Sequence, residues 1–182
     1  PGRHRPIFLL LASCYFYMVY IPAFILVLFF LIITDFFLGK KIEKTNGQRK
    51  KAFLIISIAL NLSTLFIFKY FNFFNENISY LAELIHWNYP DFTLKLLLPI
   101  GLSFHVFQSL SYVIEVYKNK QKAETKLSIY ALYVMFFPQL VAGPIERPQH
   151  LLPQLHACHD FKNDNITRGL ELMLWGFFKK LV

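Results

Sequence analysis

Residues 6–34, 52–68 and 96–114 of this chain hold no Asp, Glu, Lys or Arg, and a further uncharged run starts near Leu127 and reaches Ile145. A helix rises about 1.5 Å per residue and a bilayer's hydrocarbon core is about 30 Å thick, so roughly 20 apolar residues make one crossing. The runs at 52–68 and 96–114 approximate that length. Lys69 extends the first, because a long stem lets its ammonium reach the interface. The run at 6–34 would overshoot the core by roughly ten Å as one straight helix. Pro22 lies in its middle, lacks an amide donor and crowds the preceding turn, which predicts two shorter helices joined at 20–22.

This pattern predicts an all-α fold: a multi-pass transmembrane helical bundle with broken or re-entrant helices, forming one membrane domain over 1–182. Composition agrees, since 55% of the 182 residues are hydrophobic and 18% aromatic, with a mean hydropathy of +0.42, beyond the usual range of a soluble domain. No internal repeat, low-complexity linker or soluble stretch marks a second domain. The opening RHRPIFLLLASCYFYMVY imitates a signal peptide, but its apolar run continues for another helix length, which argues against one. The chain starts without Met and stops at GFFKKLV, so it is expected to be an excerpt, truncated at both ends.

The formal net charge of +8 would raise nucleic acid as a partner on a soluble chain. Here the basic residues lie between the apolar runs, where topology accounts for them and no nucleic-acid partner is expected. Residues 39–51 hold six basic and one acidic residue, 75–93 hold three acidic and none basic, and 118–126 hold four basic and one acidic. Basic connections stay on the cytoplasmic side. The alternation therefore predicts 39–51 and 118–126 inside and 75–93 outside, with Trp87 and Tyr89 at the outer interface.

Two segments put polar groups where lipid would be. Gly101, His105, Gln108, Ser109, Tyr112 and Glu115 recur at offsets that line one helix face. Such a column faces protein or water rather than hydrocarbon, either as a helix contact or as the lining of a substrate or water cavity. As a catalytic base His105 has no orienting partner nearby in sequence, since Glu115 lies roughly 15 Å along an ideal helix. The second segment is FFPQLVAGPIERPQHLLPQL at 136–155. Pro138, Gln139, Gly143 and Pro144 predict a broken or re-entrant helix, because irregular backbone at membrane depth needs protein or a wet cavity to satisfy it. Arg147 has a planar guanidinium suited to a carboxylate or phosphate. It is available to hold an anionic donor, to pair with Glu146 or another acid, or simply to mark the end of a span.

His150, His156, Cys158 and His159 do not make a metal site on this reading, because H-x-C-H lacks the spacing that converges on a tetrahedral ion. No metal is expected. Cys14 and Cys158 form no disulfide framework, and no feature activates Cys158 as a nucleophile.

Three stretches in order, LPIGLSFHVFQSLSYVIEVYK, FFPQLVAGPIERPQHLLPQL and GLELMLWGFFKKLV, resemble the membrane-bound O-acyltransferase superfamily, in particular its bacterial alginate O-acetylation branch. The early ASCYFYMVYIPAFILVLFF is also similar to the family's first hydrophobic segments. The resemblance implies transfer of an acetyl group from a cytoplasmic thioester toward hydroxyls of an exported cell-surface polysaccharide, in the inner membrane of a bacterium. Acetyl-CoA or another acyl thioester is the implied donor substrate, with no bound cofactor. The implied partners are membrane lipids, the polysaccharide acceptor and a periplasmic or extracellular acetyltransferase.

In the family a catalytic His lies downstream of the stretch matching GLELMLWGFFKKLV, so the resemblance places it beyond Val182 and the excerpt alone is expected to be inactive. No catalytic residue is assigned within 1–182. Gly143, Pro144, Arg147 and Pro148 match the family's Gly-Pro-Ile pattern and following Arg. Together with His105, Gln108 and Gln139 they are the candidates for binding substrate or lining its chamber. Competing readings are D-alanyl transfer toward teichoic acids by a related branch, and a non-enzymatic transporter built on discontinuous helices. The transporter reading calls for paired broken segments related by a repeat, which the chain lacks.

Overall fold

In a computed structural model the described residues are 5–19, 22, 24–85, 87, 101–139, 143–157 and 163–181. Their regular structure is entirely helical: α1 (Arg5–Met18), α2 (Phe24–Lys44), α3 (Gly47–Lys69), α4 (Phe71–Leu84), α5 (Leu102–Tyr117), α6 (Leu127–Met135), a 3-10 turn (Phe137–Gln139), α7 (Pro148–His156) and α8 (Asn163–Leu181).

The long apolar run at 6–34 is divided as its proline predicts, with α1 ending at Met18 and α2 starting at Phe24. The second half then continues well past the uncharged window, because α2 runs through Asp35 to Lys44. The basic connection predicted over 39–51 is correspondingly helical at both ends, leaving only Thr45 and Asn46 outside helix. Lys41 and Lys44 in the last turn of α2 complement the partial negative charge of its free carbonyls. At 75–93 the expected outer connection begins as helix, since α4 extends to Leu84. Trp87 is described and exposed, whereas Tyr89 lies outside the described residues.

One described helix, Gly47–Lys69, is long and apolar enough to cross a membrane, and Arg5–Met18 and Leu127–Gln139 are shorter apolar helices. For the run at 96–114 the described part is α5, and 96–100 fall outside it. The core gathers α2, α3, α5 and α6. Leu28, Ile32 and Ile42 of α2 pack with Leu102, Val106 and Val113 of α5 and with Tyr130, Tyr133 and Met135 of α6. The α6 helix is buried along almost its whole length. In contrast, α3 and α4 turn many large apolar side chains outward, among them Ile55, Ile56, Phe66, Phe73 and Leu81, and α8 buries none of its residues.

Candidate functional site

Asp35 sits in the middle of this apolar core, fully buried. A buried carboxylate is tolerated only where hydrogen bonds replace its lost hydration. Ser57 Oγ donates to Asp35 Oδ1 at 2.5 Å, Asn61 Nδ2 donates to Oδ2 at 2.8 Å, and Ser109 Oγ donates to Oδ2 at 2.5 Å. Ser57 and Asn61 stand four apart on α3, so one helix face presents both donors. Asn61 Nδ2 also donates to the Ser57 carbonyl at 2.9 Å, which fixes the amide's orientation. Ser109 is bonded in turn to the Tyr130 hydroxyl at 2.7 Å. Four helices thus converge on one carboxylate.

Tyr130 continues the network sideways, its ring centroid 4.5 Å from that of Tyr112 and 6.3 Å from that of Tyr133. The Tyr112 hydroxyl accepts the Glu124 amide at 2.8 Å, and the Tyr133 hydroxyl donates to the Glu146 carbonyl at 3.0 Å. Gly39 of α2 makes this possible, because a Cβ there would lie 3.0 Å from Tyr112 Cε1 and 3.2 Å from its hydroxyl.

The polar column read from the sequence is real on α5: His105, Gln108, Ser109 and Tyr112 are all buried. His105 has an orienting partner, and as the sequence reading allows it is not a neighbour in the chain but comes from another helix: Nδ1 lies 2.8 Å from the Val134 carbonyl. A carbonyl only accepts, so Nδ1 carries the proton, and in the neutral ring Nε2 keeps its lone pair. The signal was not local, because Val134 is 29 positions away.

The broken segment also appears. Helix α6 stops at Met135, the 3-10 turn Phe137–Gln139 follows, and 143–147 carry no regular structure before α7 begins at Pro148. Gly143 donates its amide to the Gln139 carbonyl at 3.1 Å. A Cβ on Gly143 would lie 2.8 Å from Gln139 Cα, a backbone atom, so the close approach requires glycine. Pro148 occupies the first turn of α7, where the missing amide costs nothing. The break is tied to α1 by the Phe137 amide, which donates to Ser13 Oγ at 3.3 Å. Tyr133 ties it to the polar column, since its hydroxyl also lies 3.5 Å from the Gln108 carbonyl.

The candidate residues therefore divide. His105, Gln108 and Pro148 are buried, Gln139 and Gly143 are half-buried, and Pro144 and Arg147 lie on the surface. Arg147 makes no ion pair with Glu146 among the described residues, where the ion pair is Glu124 with His156. Cys158 and His159 lie outside the described residues, and no cluster of metal-binding side chains occurs among those described.

Where the basic segments meet, Lys40 Nζ donates to the Thr125 carbonyl at 3.2 Å, Ala123 donates its amide to Glu43 at 3.2 Å, and Lys50 Nζ donates to Asn119 at 2.6 Å. Residues 39–51 and 118–126 consequently share one end of the bundle. Glu124 anchors α7 there, its Oε2 lying 2.8 Å from His156 Nε2. Burial pushes the Glu124 carboxyl up, but the bonds from His156 and from the Lys126 and Thr125 amides outweigh it and hold the group below the ordinary Glu range. Beside this pair a pocket of about 290 Å³ is lined by Gln121, Lys122, Thr125, Leu152 and His156.

These features define a protein whose described regular structure is all helical, and whose interior holds a hydrogen-bonded carboxylate and a polar column next to a helix that stops at Met135, ahead of Gly143-Pro144. Over 98% of its length the chain is 34% identical to Probable alginate O-acetylase AlgI of Pseudomonas aeruginosa and 33% identical to its Pseudomonas syringae counterpart. Over 97% it is 30% identical to Peptidoglycan O-acetyltransferase of Helicobacter pylori. These matches cover 34%, 35% and 38% of the three proteins, so the chain spans about a third of the length of the curated relatives it matches. No family model matches the chain, and no solved structure does. The likeness thus runs along nearly the whole chain, to proteins named alginate O-acetylase and peptidoglycan O-acetyltransferase.

Proposed function

We infer that the chain is part of a multi-pass O-acyltransferase of the bacterial cytoplasmic membrane. It moves an acetyl group from a cytoplasmic thioester such as acetyl-CoA toward hydroxyls of an exported, alginate-like polysaccharide, with a periplasmic or extracellular acetyltransferase as partner. The observation that carries this reading is the similarity of nearly the whole chain to proteins named O-acetylases and O-acetyltransferases.

The chemistry asks for a place where a donor from one face meets an acceptor from the other without water, which would hydrolyse the donor. The hydroxyl oxygen bonds to the thioester carbonyl carbon, the carbon–sulfur bond breaks, and the hydroxyl proton passes to a base. In this reading the break at 136–148 forms one wall of that chamber, with Gln139, Gly143, Pro144, Arg147 and Pro148 shaping it, and His105 and Gln108 line the side beneath. The union of 39–51 with 118–126 supports a common cytoplasmic end, where a thioester donor arrives. The base is the His that the family resemblance places beyond Val182.

The test uses the full-length protein in membranes supplied with acetyl-labelled CoA and a polysaccharide acceptor. Alkali-labile label should appear on the polysaccharide. Label no higher than in membranes lacking the protein would sink the reading.

A further inference from the structure

Four buried polar atoms on α1 and α5 have no hydrogen-bond partner among the described residues: Tyr17 Oη, His105 Nε2, and both Nε2 and Oε1 of Gln108. The three side chains are 4%, 1% and 0% exposed. Tyr17 of α1 meets His105 edge to face at 5.6 Å between ring centroids. Gln108 lies one helical turn beyond His105 on the same face of α5. Buried polar atoms in folded proteins almost always find a partner, so several unpaired ones on two helices that meet through Tyr17 and His105 mark a place built to be occupied.

The chemistry of the atoms restricts the occupant. His105 Nε2 accepts only, because Nδ1 holds the proton against the Val134 carbonyl. Gln108 offers two donors and an acceptor, and the Tyr17 hydroxyl offers one of each. None of the three side chains brings a charge, so an ion would be left uncompensated and a neutral group is required. An O–H group fits: its proton goes to Nε2 while its oxygen accepts from the Gln108 amide or the Tyr17 hydroxyl. The site also lies deep, His105 being about 18 Å along α5 from Tyr117 at the basic end. We propose that Tyr17, His105 and Gln108 form a binding site for a neutral hydroxyl group, supplied either by water or by the acceptor sugar. The sugar source rests on the O-acetyltransferase reading, whereas the site itself does not.

Tyr17→Phe and Gln108→Leu test it cleanly, because each removes only side-chain polar atoms that have no partner among the described residues, while His105 keeps its bond to Val134. The measurement is the melting temperature of the full-length protein in detergent, for both single variants and the double variant, with and without a soluble oligosaccharide acceptor. A bridging hydroxyl makes each single variant melt several degrees lower and makes the double variant lose less than the two together. If water is the bridge, this coupling appears without acceptor and is no larger with it. If the sugar is the bridge, coupling appears only with acceptor, whose KM rises about tenfold or more while the donor KM stays fixed, a tenfold loss of binding corresponding to 1.4 kcal/mol. Melting temperatures that hold or rise additively would overturn the proposal, because unpaired buried groups replaced by apolar ones cost nothing. Absence of acetyl transfer by the wild-type protein would count against the functional reading alone, since the water bridge is decided by melting.

Discussion

Ser109 on α5 donates its hydroxyl to the Asp35 carboxylate on α2 at 2.5 Å, across 74 positions of sequence. The same hydroxyl meets Tyr130 of α6, so one small side chain ties three helices together. Ser109→Ala removes a donor from a fully buried carboxylate and strands the Tyr130 hydroxyl. The expected cost is about 1–3 kcal/mol, read as a lower melting temperature in detergent. Ser57→Ala should show a similar loss, and the two should be non-additive because they share one acceptor.

Gly143→Ala forces a Cβ to within 2.8 Å of the Gln139 backbone. The turn that joins α6 to α7 has to open, and acetyl transfer by the full-length protein should fall tenfold or more while membrane insertion is retained. Gly39→Ala offers a contrast, since its clash is with the Tyr112 ring, a side chain able to give by a few tenths of an ångström. It should be the milder of the two.

Arg147 stands on the surface at the start of α7 and pairs with no acid among the described residues. If it meets an anionic donor, Arg147→Ala should raise the donor KM several-fold with insertion and melting temperature unchanged, and Arg147→Lys should recover only part of the loss, lacking the bidentate fork. Unchanged kinetics in both variants would reduce Arg147 to a marker of the helix start.

The Glu124 carboxyl is held below its ordinary range, so its contribution to stability is present above the unfolded-state value, near 4.5, and is lost as pH falls through the folded one. Protease nicking around residues 118–126 and α7 should therefore rise on acidification below about pH 4.5. Glu124→Gln should give raised nicking already at neutral pH, with a flatter acid response. An identical acid profile in the variant would assign the effect to another group.

Residues 39–51 and 118–126 meet at one end, so tags in either should be labelled by an impermeant reagent from the same side of a membrane. A tag within 75–85 should be labelled only from the opposite side. Labelling of all three from one side would overturn the topology.

Features set by local covalent chemistry were legible in the sequence. Pro22 and the Gly143-Pro144 pair announced their breaks because ring closure and a missing Cβ act whatever the surroundings. The α5 column was legible because 3.6-residue periodicity is a local property. Asp35 was not singled out, although its signal was present: a lone carboxylate directly after the uncharged run at 6–34, with Ser57 and Asn61 spaced to face it from the next helix. What hid it is that its value comes entirely from partners far away in sequence. The same holds for His105, whose orienting carbonyl lies on α6, and for Arg147, whose surface position depends on how α7 docks rather than on its neighbours.

The two-residue link between α2 and α3 bears on how such a chain enters a bilayer. On the membrane reading proposed above, a helix with a carboxylate near its middle is a poor candidate to partition into lipid alone. Here Asp35 and two of its three donors, Ser57 and Asn61, lie on the two arms of one hairpin. On the same reading the arms can close on each other before either faces hydrocarbon, and the positive-inside rule assigns the tip, with its six cationic side chains, to the side where the chain was made. Ser109 and Tyr130 are synthesised later and need only lock a carboxylate that is already accompanied. Biogenesis, on this view, runs through the hairpin as its first committed unit.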